Sequence, residues 1–128
     1  MEVDQHGTKD KRWIKTCLKI ASRNKIKHYK HASILVKGGR IISIGVNKTK
    51  AGCLGDPCYH LKGWHAELDC LHKVDPKDAK GAILYVGGWS KGGRVIKSKP
   101  CPYCQQYLKK FDLKAVYYSL PNYEVGAM

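Results

Sequence analysis

The stretch that decides the fold is GAILYVGGWSKGGRVIKSKPCPYCQQYLKKFDLKAVYYSL, residues 81–120. It opens with an apolar run typical of a buried strand, residues 81–86, and closes with a second run, residues 115–120. Between the two, residues 101–111 have the pattern of a helix with proline in its first turn, where proline is tolerated. A strand, a helix and a strand in this order predict two parallel neighbouring strands.

The N-terminal part adds an amphipathic helix. Apolar residues recur at helical spacing from Lys9 to about Ile26, and lysines and arginines fill the opposite face. Residues 1–8 are predicted to be a flexible tail. The chain has 128 residues and is 43% hydrophobic, which suits one compact domain over residues 9–128.

The middle of the chain predicts a hairpin and a short helix. Two β-rich runs, residues 32–37 and 40–47, flank the turn signal Gly38-Gly39 and indicate antiparallel strands. A helix is predicted from His65 to about Val74, and two glycine-rich segments, 48–63 and 87–99, are predicted to be loops. The order α-β-β-α-β-α-β predicts an α/β fold, a three-layer α-β-α sandwich with a mixed sheet.

Charge indicates the kind of partner the protein binds, and hydropathy indicates whether it is a membrane or secreted protein. The net charge of +14 exceeds the usual roughly 2–8 for a small domain and favours a phosphate-bearing partner over solubility alone. No apolar run reaches membrane-spanning length. The polar N-terminus has no h-region of the signal-peptide kind, so we expect no secretion signal. We therefore expect a cytoplasmic protein without a membrane partner.

Two short clusters carry the chemistry: His65-Ala66-Glu67 and Pro100-Cys101-Pro102-Tyr103-Cys104. One histidine and two thiolates make a three-ligand set for Zn²⁺, which leaves tetrahedral zinc an open position for water. Both clusters fall at predicted helix starts, where thiolates are stabilised. Glu67 is placed to carry protons, and this pattern is typical of zinc deaminases.

Other uses of the six cysteines stay open. A disulfide framework is one, although we expect no secretion signal. A closed structural zinc site is another, and it would need a fourth ligand. Cys53, Cys58 and His60 are candidates for that ligand or for a second metal cluster, and reduced thiols in a loop are the simpler interpretation.

The chain resembles the cytidine and deoxycytidylate deaminase superfamily from about Ala32 to Leu120. The resemblance is carried by the hairpin, the His65-Ala66-Glu67-Leu68 helix start, the Pro100–Cys104 helix start and the final strand. It implies zinc on His65, Cys101 and Cys104, and Glu67 as acid and base. It also implies that Asn47 contacts the sugar or base and that the Ala66 N–H contacts the base carbonyl. Asn47 is equally explained as a turn residue. Many members of the superfamily are homo-oligomers.

The segment 87–99 departs from the family pattern because it is long and basic. Trp89 and Lys99 within it suit base stacking and phosphate contact, although a solvated loop explains them nearly as well. These two residues complete the predicted substrate-binding set.

The sequence therefore predicts a zinc-dependent hydrolytic deaminase. It would convert a cytosine-type base to uracil with release of ammonia, on a nucleotide such as dCMP or on a nucleoside. Two alternatives stay open: a base deaminase acting on single-stranded DNA or tRNA, and a non-catalytic zinc-stabilised module that binds nucleic acid. The zinc motif does not distinguish cytosine from adenine or guanine.

Overall fold

The computed structural model describes residues 2–26, 29–48 and 65–128, with side chains from residue 9 onward. Its elements, in chain order, are helix α1 (Glu2–Ser22), strands β1 (Lys30–Lys37) and β2 (Arg40–Val46), helices α2 (Ala66–Leu71) and α3 (Pro76–Ala79), strand β3 (Ile83–Trp89), helix α4 (Pro102–Leu108), and strands β4 (Ala115–Leu120) and β5 (Glu124–Ala127).

The five strands form one mixed sheet in the order β2-β1-β3-β4-β5. β3 and β4 are parallel, with Ile83 opposite Ala115, which confirms the strand-helix-strand prediction. The other neighbouring pairs are antiparallel. The hairpin is also as predicted. Gly38 and Gly39 both have positive φ, 61° and 78°, as the favoured two-residue hairpin turn requires.

Helices cover both faces of the sheet, so the predicted three-layer sandwich is confirmed. On one face, the α1 stripe Ile14, Cys17, Leu18 and Ala21 is buried, and the first three pack against Ile34 and Tyr85. On the other face, buried residues of α2 and α4 pack against the intervening strand residues: Cys70, Leu71, Leu108, Leu35, Leu84 and Val86. Successive side chains of β1 and β3 thus point to opposite faces of the sheet, as the strand period of two requires.

Several predicted bounds were wrong. α1 begins at Glu2 and ends at Ser22, earlier at both ends than Lys9 and Ile26. The segment 87–99 is not a loop throughout, because β3 continues to Trp89. The sequence also missed α3, which Asp75 caps by accepting a hydrogen bond from the Lys77 N–H, and β5, which returns antiparallel to β4. The predicted loop at 48–63 lies outside the described residues from residue 49 onward.

Among the described residues, no helix is both long enough and apolar enough to cross a bilayer.

Candidate active site

The structure places His65 and Cys101 at the starts of two helices on the same face of the sheet. His65 is the residue before α2 and Cys101 the residue before α4, and both have extended backbone. Pro102 follows Cys101 as the first helical residue, where its missing N–H costs nothing. Cys104 lies three residues after Cys101, on the same side of the turn, so one helix start offers both thiols.

The side chains of His65, Cys101 and Cys104 converge. The His65 Nδ1 atom lies 3.2 Å from the Cys104 Sγ and 3.7 Å from the Cys101 Sγ. The ligand atoms of the three residues all lie within 4.8 Å of one another. In a tetrahedral zinc site, nitrogen and sulfur ligands are roughly 3.5 Å apart, from Zn–N and Zn–S bonds of about 2.0–2.3 Å. The donor set and its spacing therefore fit Zn²⁺ bound through Nδ1 and two thiolates.

Glu67 is buried two residues after His65, with 5% of its surface exposed. Burial raises the pKa of Glu67 to about 7, because the ionised carboxylate loses hydration. A carboxyl group with a pKa in this range exchanges protons readily near neutral pH.

Three contacts fix the helix that carries His65 and Glu67. The Ser33 hydroxyl donates to the Ala66 carbonyl at 3.0 Å, and the Ser43 hydroxyl donates to the Cys70 carbonyl at 2.6 Å. At Gly45, an added Cβ would overlap the Ala66 carbonyl oxygen and the Cys70 backbone nitrogen. α2 therefore packs backbone to backbone on β2, and Ala66 is fully buried at its first position.

Asn47 follows β2 and joins three segments. Its Oδ1 accepts hydrogen bonds from the His31 N–H (2.9 Å) and from the Asn24 Nδ2 (2.8 Å), and its Nδ2 donates to the Tyr29 carbonyl (2.8 Å). A carboxamide offers two acceptor and two donor positions. One Nδ2 hydrogen is thus left without an acceptor among the described residues, which is what a substrate contact would need.

Asp69 is a site residue that the sequence reasoning missed. It lies on α2, is 3% exposed, and accepts hydrogen bonds from the Val46 N–H (3.0 Å) and from the Lys48 Nζ (2.9 Å). Burial alone would raise the pKa of Asp69, but these two hydrogen bonds and the charges of Lys48 and Lys73 outweigh it and lower the pKa. Asp69 thereby ties the helix of His65 and Glu67 to the strand end that precedes Asn47.

His31 is the second residue that was missed. On β1 it shares a face with Ser33, which contacts α2, and it is close enough to His65 for their charges to interact. Burial and the neighbouring His65 lower the pKa of His31 to about 4, so its ring is neutral at physiological pH. The strand alternation of the sequence was the available signal, because residues 31, 33 and 35 point to one face.

The space for His31 comes from a glycine on the neighbouring strand. A Cβ at Gly88 would lie 2.5 Å from the His31 Nδ1 and 2.7 Å from the Ser98 Oγ. Gly88 is therefore required for the ring of His31 and the hydroxyl of Ser98 to lie where they do.

Trp89 is not brought to the three ligand residues. Its Nε1 donates to the Leu18 carbonyl at 2.7 Å, and its ring packs with the α1 cluster on the other face of the sheet. The predicted stacking of a base on Trp89 at the metal site thus has no support in the geometry. Lys99 is exposed just before Pro100. Cys53, Cys58 and His60, the candidates for a second cluster, lie outside the described residues.

The remaining described cysteines belong to the core. Cys17 and Cys70 are fully buried, as predicted, and the described cysteines form no disulfide. Burial raises the pKa of both thiols, that of Cys70 to about 11.

Residues 7–120 match the family model of the cytidine and deoxycytidylate deaminase zinc-binding region. The chain belongs to this family. It is a deaminase, and zinc is its cofactor, in agreement with the converging histidine and cysteines. The match spans the two clusters, the hairpin and the strand-helix-strand unit on which the sequence prediction was based.

Solved structures with the same fold include dCMP deaminase from the cyanophage S-TIM5. Its apo form is 25% identical, with a TM-score of 0.64, and the match covers 90% of this chain and 86% of that one. The form in complex with dCMP and dUMP is 24% identical, with a TM-score of 0.64 and coverage of 89% and 82%. RibD from Acinetobacter baumannii (form 1) is 21% identical, with a TM-score of 0.56, and the match covers 88% of this chain and 28% of RibD. Among curated proteins, none matches the chain.

Proposed function

We propose that the protein deaminates a cytosine nucleotide of the dCMP type, converting its base to uracil. The observation that carries this proposal is the cluster of His65, Cys101 and Cys104 in a chain of the deaminase family, with the buried Glu67 two residues after His65 on the same helix. The cyanophage dCMP deaminase, with the same fold, was solved with dCMP and dUMP. The net charge of +14 favours a substrate that carries phosphate over a nucleoside.

Three residues are proposed to hold the metal: His65 through Nδ1, and Cys101 and Cys104 through their thiolates. When bound there, zinc would lower the pKa of water so that it attacks the base at neutral pH. The three ligands come from the starts of α2 and α4, and α2 is fixed against β1 and β2 by Ser33 and Ser43.

Glu67 is proposed to move the protons. Its carboxylate takes a proton from the attacking water and delivers it to the ring nitrogen beside the amino-bearing carbon. A C–O bond forms at that carbon. The C–N bond then breaks, and the departing amine leaves as ammonia after Glu67 passes on the second proton of the water. The pKa of about 7 suits a group that must both accept and donate.

The substrate is proposed to be held by Asn47, through its remaining Nδ2 hydrogen, and by the Ala66 N–H. Asn47 directly follows β2, and Ala66 is the first residue of α2, directly after His65. Lys99, exposed immediately before the Pro100–Cys104 segment, is proposed as a phosphate contact. The cytoplasmic location and the homo-oligomeric state expected from the sequence stay predictions.

A substrate panel tests this function. Zinc-loaded protein is incubated with dCMP, CMP, deoxycytidine, a cytosine-containing single-stranded oligonucleotide, dAMP and dGMP, and ammonia and product mass are measured. We expect dUMP and ammonia from dCMP, with a kcat/KM at least tenfold above that of deoxycytidine. Preferential turnover of the oligonucleotide or of a purine would contradict the proposal.

A further inference from the structure

A cavity lies on the α1 face of the sheet. It has a volume of about 520 Å³ and is lined by Lys25, Lys30, Lys91, Trp89 and Ser90. Cavities of this size accommodate small ligands. Among the described residues, its lining contains three amines and an indole, and no carboxylate.

Three separate segments bring the lysines together. Lys25 follows α1, Lys30 is the first residue of β1, and Lys91 lies in the turn after β3. β1 and β3 are paired so that Lys30 is directly opposite Trp89. The indole is held in place by its hydrogen bond to the Leu18 carbonyl and by an edge-on contact with Tyr123, with ring centroids 6.3 Å apart. The cavity thus has a fixed wall between its charged side chains.

Among the residues that the structure describes, no carboxylate forms an ion pair with the lysines of this cavity. Within the part of the chain that the structure describes, every ion pair involves Asp69, which lies on the other face of the sheet. The three lysines have no such partner. Ser90 adds a donor, because its Oγ accepts the Arg94 N–H at 3.1 Å and keeps its own hydrogen for another group. Like charges gathered without a counter-ion favour binding of an anion.

The cavity is distinct from the metal site. Lys30 and Trp89 point to the α1 face, whereas their neighbours His31 and Gly88 lie together on the face of α2. A phosphate in this cavity would therefore be separated by the sheet from a base at His65. It would belong to a second ligand or to another part of a longer one.

We propose that the cavity binds phosphate groups, through Lys25, Lys30, Lys91 and the Ser90 hydroxyl. The phosphate would come either from a free polyphosphate ligand or from the backbone of a single-stranded nucleic acid that passes over the end of the sheet. This inference does not depend on the deaminase chemistry, because none of these residues lies at the metal site.

The test compares two triple variants of the zinc-loaded chain that remove the same charge. The first replaces Lys25, Lys30 and Lys91 with glutamine. The control replaces Lys77, Lys80 and Lys114, which are exposed near the other end of the sheet. The probes are inorganic tripolyphosphate and a labelled twelve-nucleotide oligo-dT, titrated between 50 and 200 mM salt. Circular dichroism and the melting temperature verify that both variants fold.

We expect the cavity variant to bind tripolyphosphate at least tenfold more weakly than the wild-type chain, and the control to change less than twofold. If the phosphate comes from the backbone of a nucleic acid, the same variant also binds oligo-dT more weakly. The slope of the logarithm of the binding constant against the logarithm of the salt concentration then becomes smaller in magnitude by about 2, because each of the three lost phosphate contacts contributes about 0.7. If a free polyphosphate is the source, only tripolyphosphate binding depends on the cavity. Equal weakening in both variants, or no binding of either probe by the wild-type chain, would overturn the proposal.

Discussion

The Asp69 carboxylate joins the two parts of the site more directly than any residue in the sequence motifs. It accepts from the Val46 backbone at the end of β2 and from Lys48 just beyond it, while its own helix carries Glu67 and begins after His65. Asn47 lies between these two partners. A shift of Asp69 would therefore move the proposed proton carrier and the proposed substrate contact relative to each other.

Replacing Asp69 with asparagine is expected to reduce the free energy of unfolding by roughly 1.5–3 kcal/mol at pH 7, the range for hydrogen bonds to a charged group. The pKa of Asp69 is lowered in the folded chain, so its contribution is complete above the unfolded value of about 3.9 and is lost as the pH falls below that value. The stability difference between the two proteins should shrink between pH 5 and pH 3. Urea unfolding at pH 7, 5, 4 and 3 measures it. Zinc loss in acid affects both proteins, so a difference that stays constant over this range would contradict the assignment.

The sequence motifs contain the residues that we propose carry the chemistry, but not the residues that position them. His65, Glu67, Cys101 and Cys104 stand in short motifs, whose spacing is visible along the chain. Asp69 acts through its contact with Lys48, and His31 packs against Gly88, at sequence separations of about 20 and about 60 residues. Such contacts depend on which strands are neighbours in the sheet, and this cannot be predicted from the local sequence pattern.

At the scale of elements, the position of α2 is determined by a glycine on β2. The helix backbone at Ala66 and Cys70 approaches so closely that only a hydrogen fits at position 45. Because the opposing atoms belong to the backbone, a larger side chain cannot be accommodated by a change of rotamer. The glycine therefore controls the distance between the sheet and the helix that begins beside His65.

Replacing Gly45 with alanine should destabilise the protein by about 3 kcal/mol, the upper part of the usual range for overpacking, and should lower its zinc content because α2 must move. Gly92→Ala is the matched control, since its added Cβ would meet only the Ser90 Oγ, at 3.9 Å. Melting temperature and zinc per chain, measured by atomic emission, report the two effects. Wild-type values in Gly45→Ala would show that the helix tolerates the displacement.

The elements differed in how far the sequence could predict them. β3, α4 and β4 follow one another, so their local patterns were sufficient to predict the parallel pair. β1 lies between β2 and β3 because residues 30–36 pair with residues 83–89. No short turn joins these two strands, so the local sequence did not predict their pairing. β5 was missed because it has only four residues and follows a turn in which Asn122 and Tyr123 adopt positive φ, which few non-glycine residues do.

In the whole molecule, the sheet separates the proposed metal ligands on one face from the lysine-lined cavity on the other. The face of α2 and α4 holds the soft ligands and the buried carboxyl groups, and the face of α1 holds the lysine-lined cavity. The net charge of +14 predicted a phosphate-bearing partner without placing it. The position that we propose for it rests on the strand register, which points Trp89 and Lys30 away from the proposed metal ligands.

The central claim is that Glu67 carries protons beside a zinc held by His65, Cys101 and Cys104. The most direct measurement is the rate of dCMP deamination by Glu67→Gln, with zinc per chain determined on the same sample. Glutamine keeps the size of the side chain but cannot exchange the proton, so we predict a loss of at least about 100-fold in kcat, within the range for general acid–base catalysis, with zinc at the wild-type level. Undiminished turnover, or loss of zinc from this variant, would contradict the account.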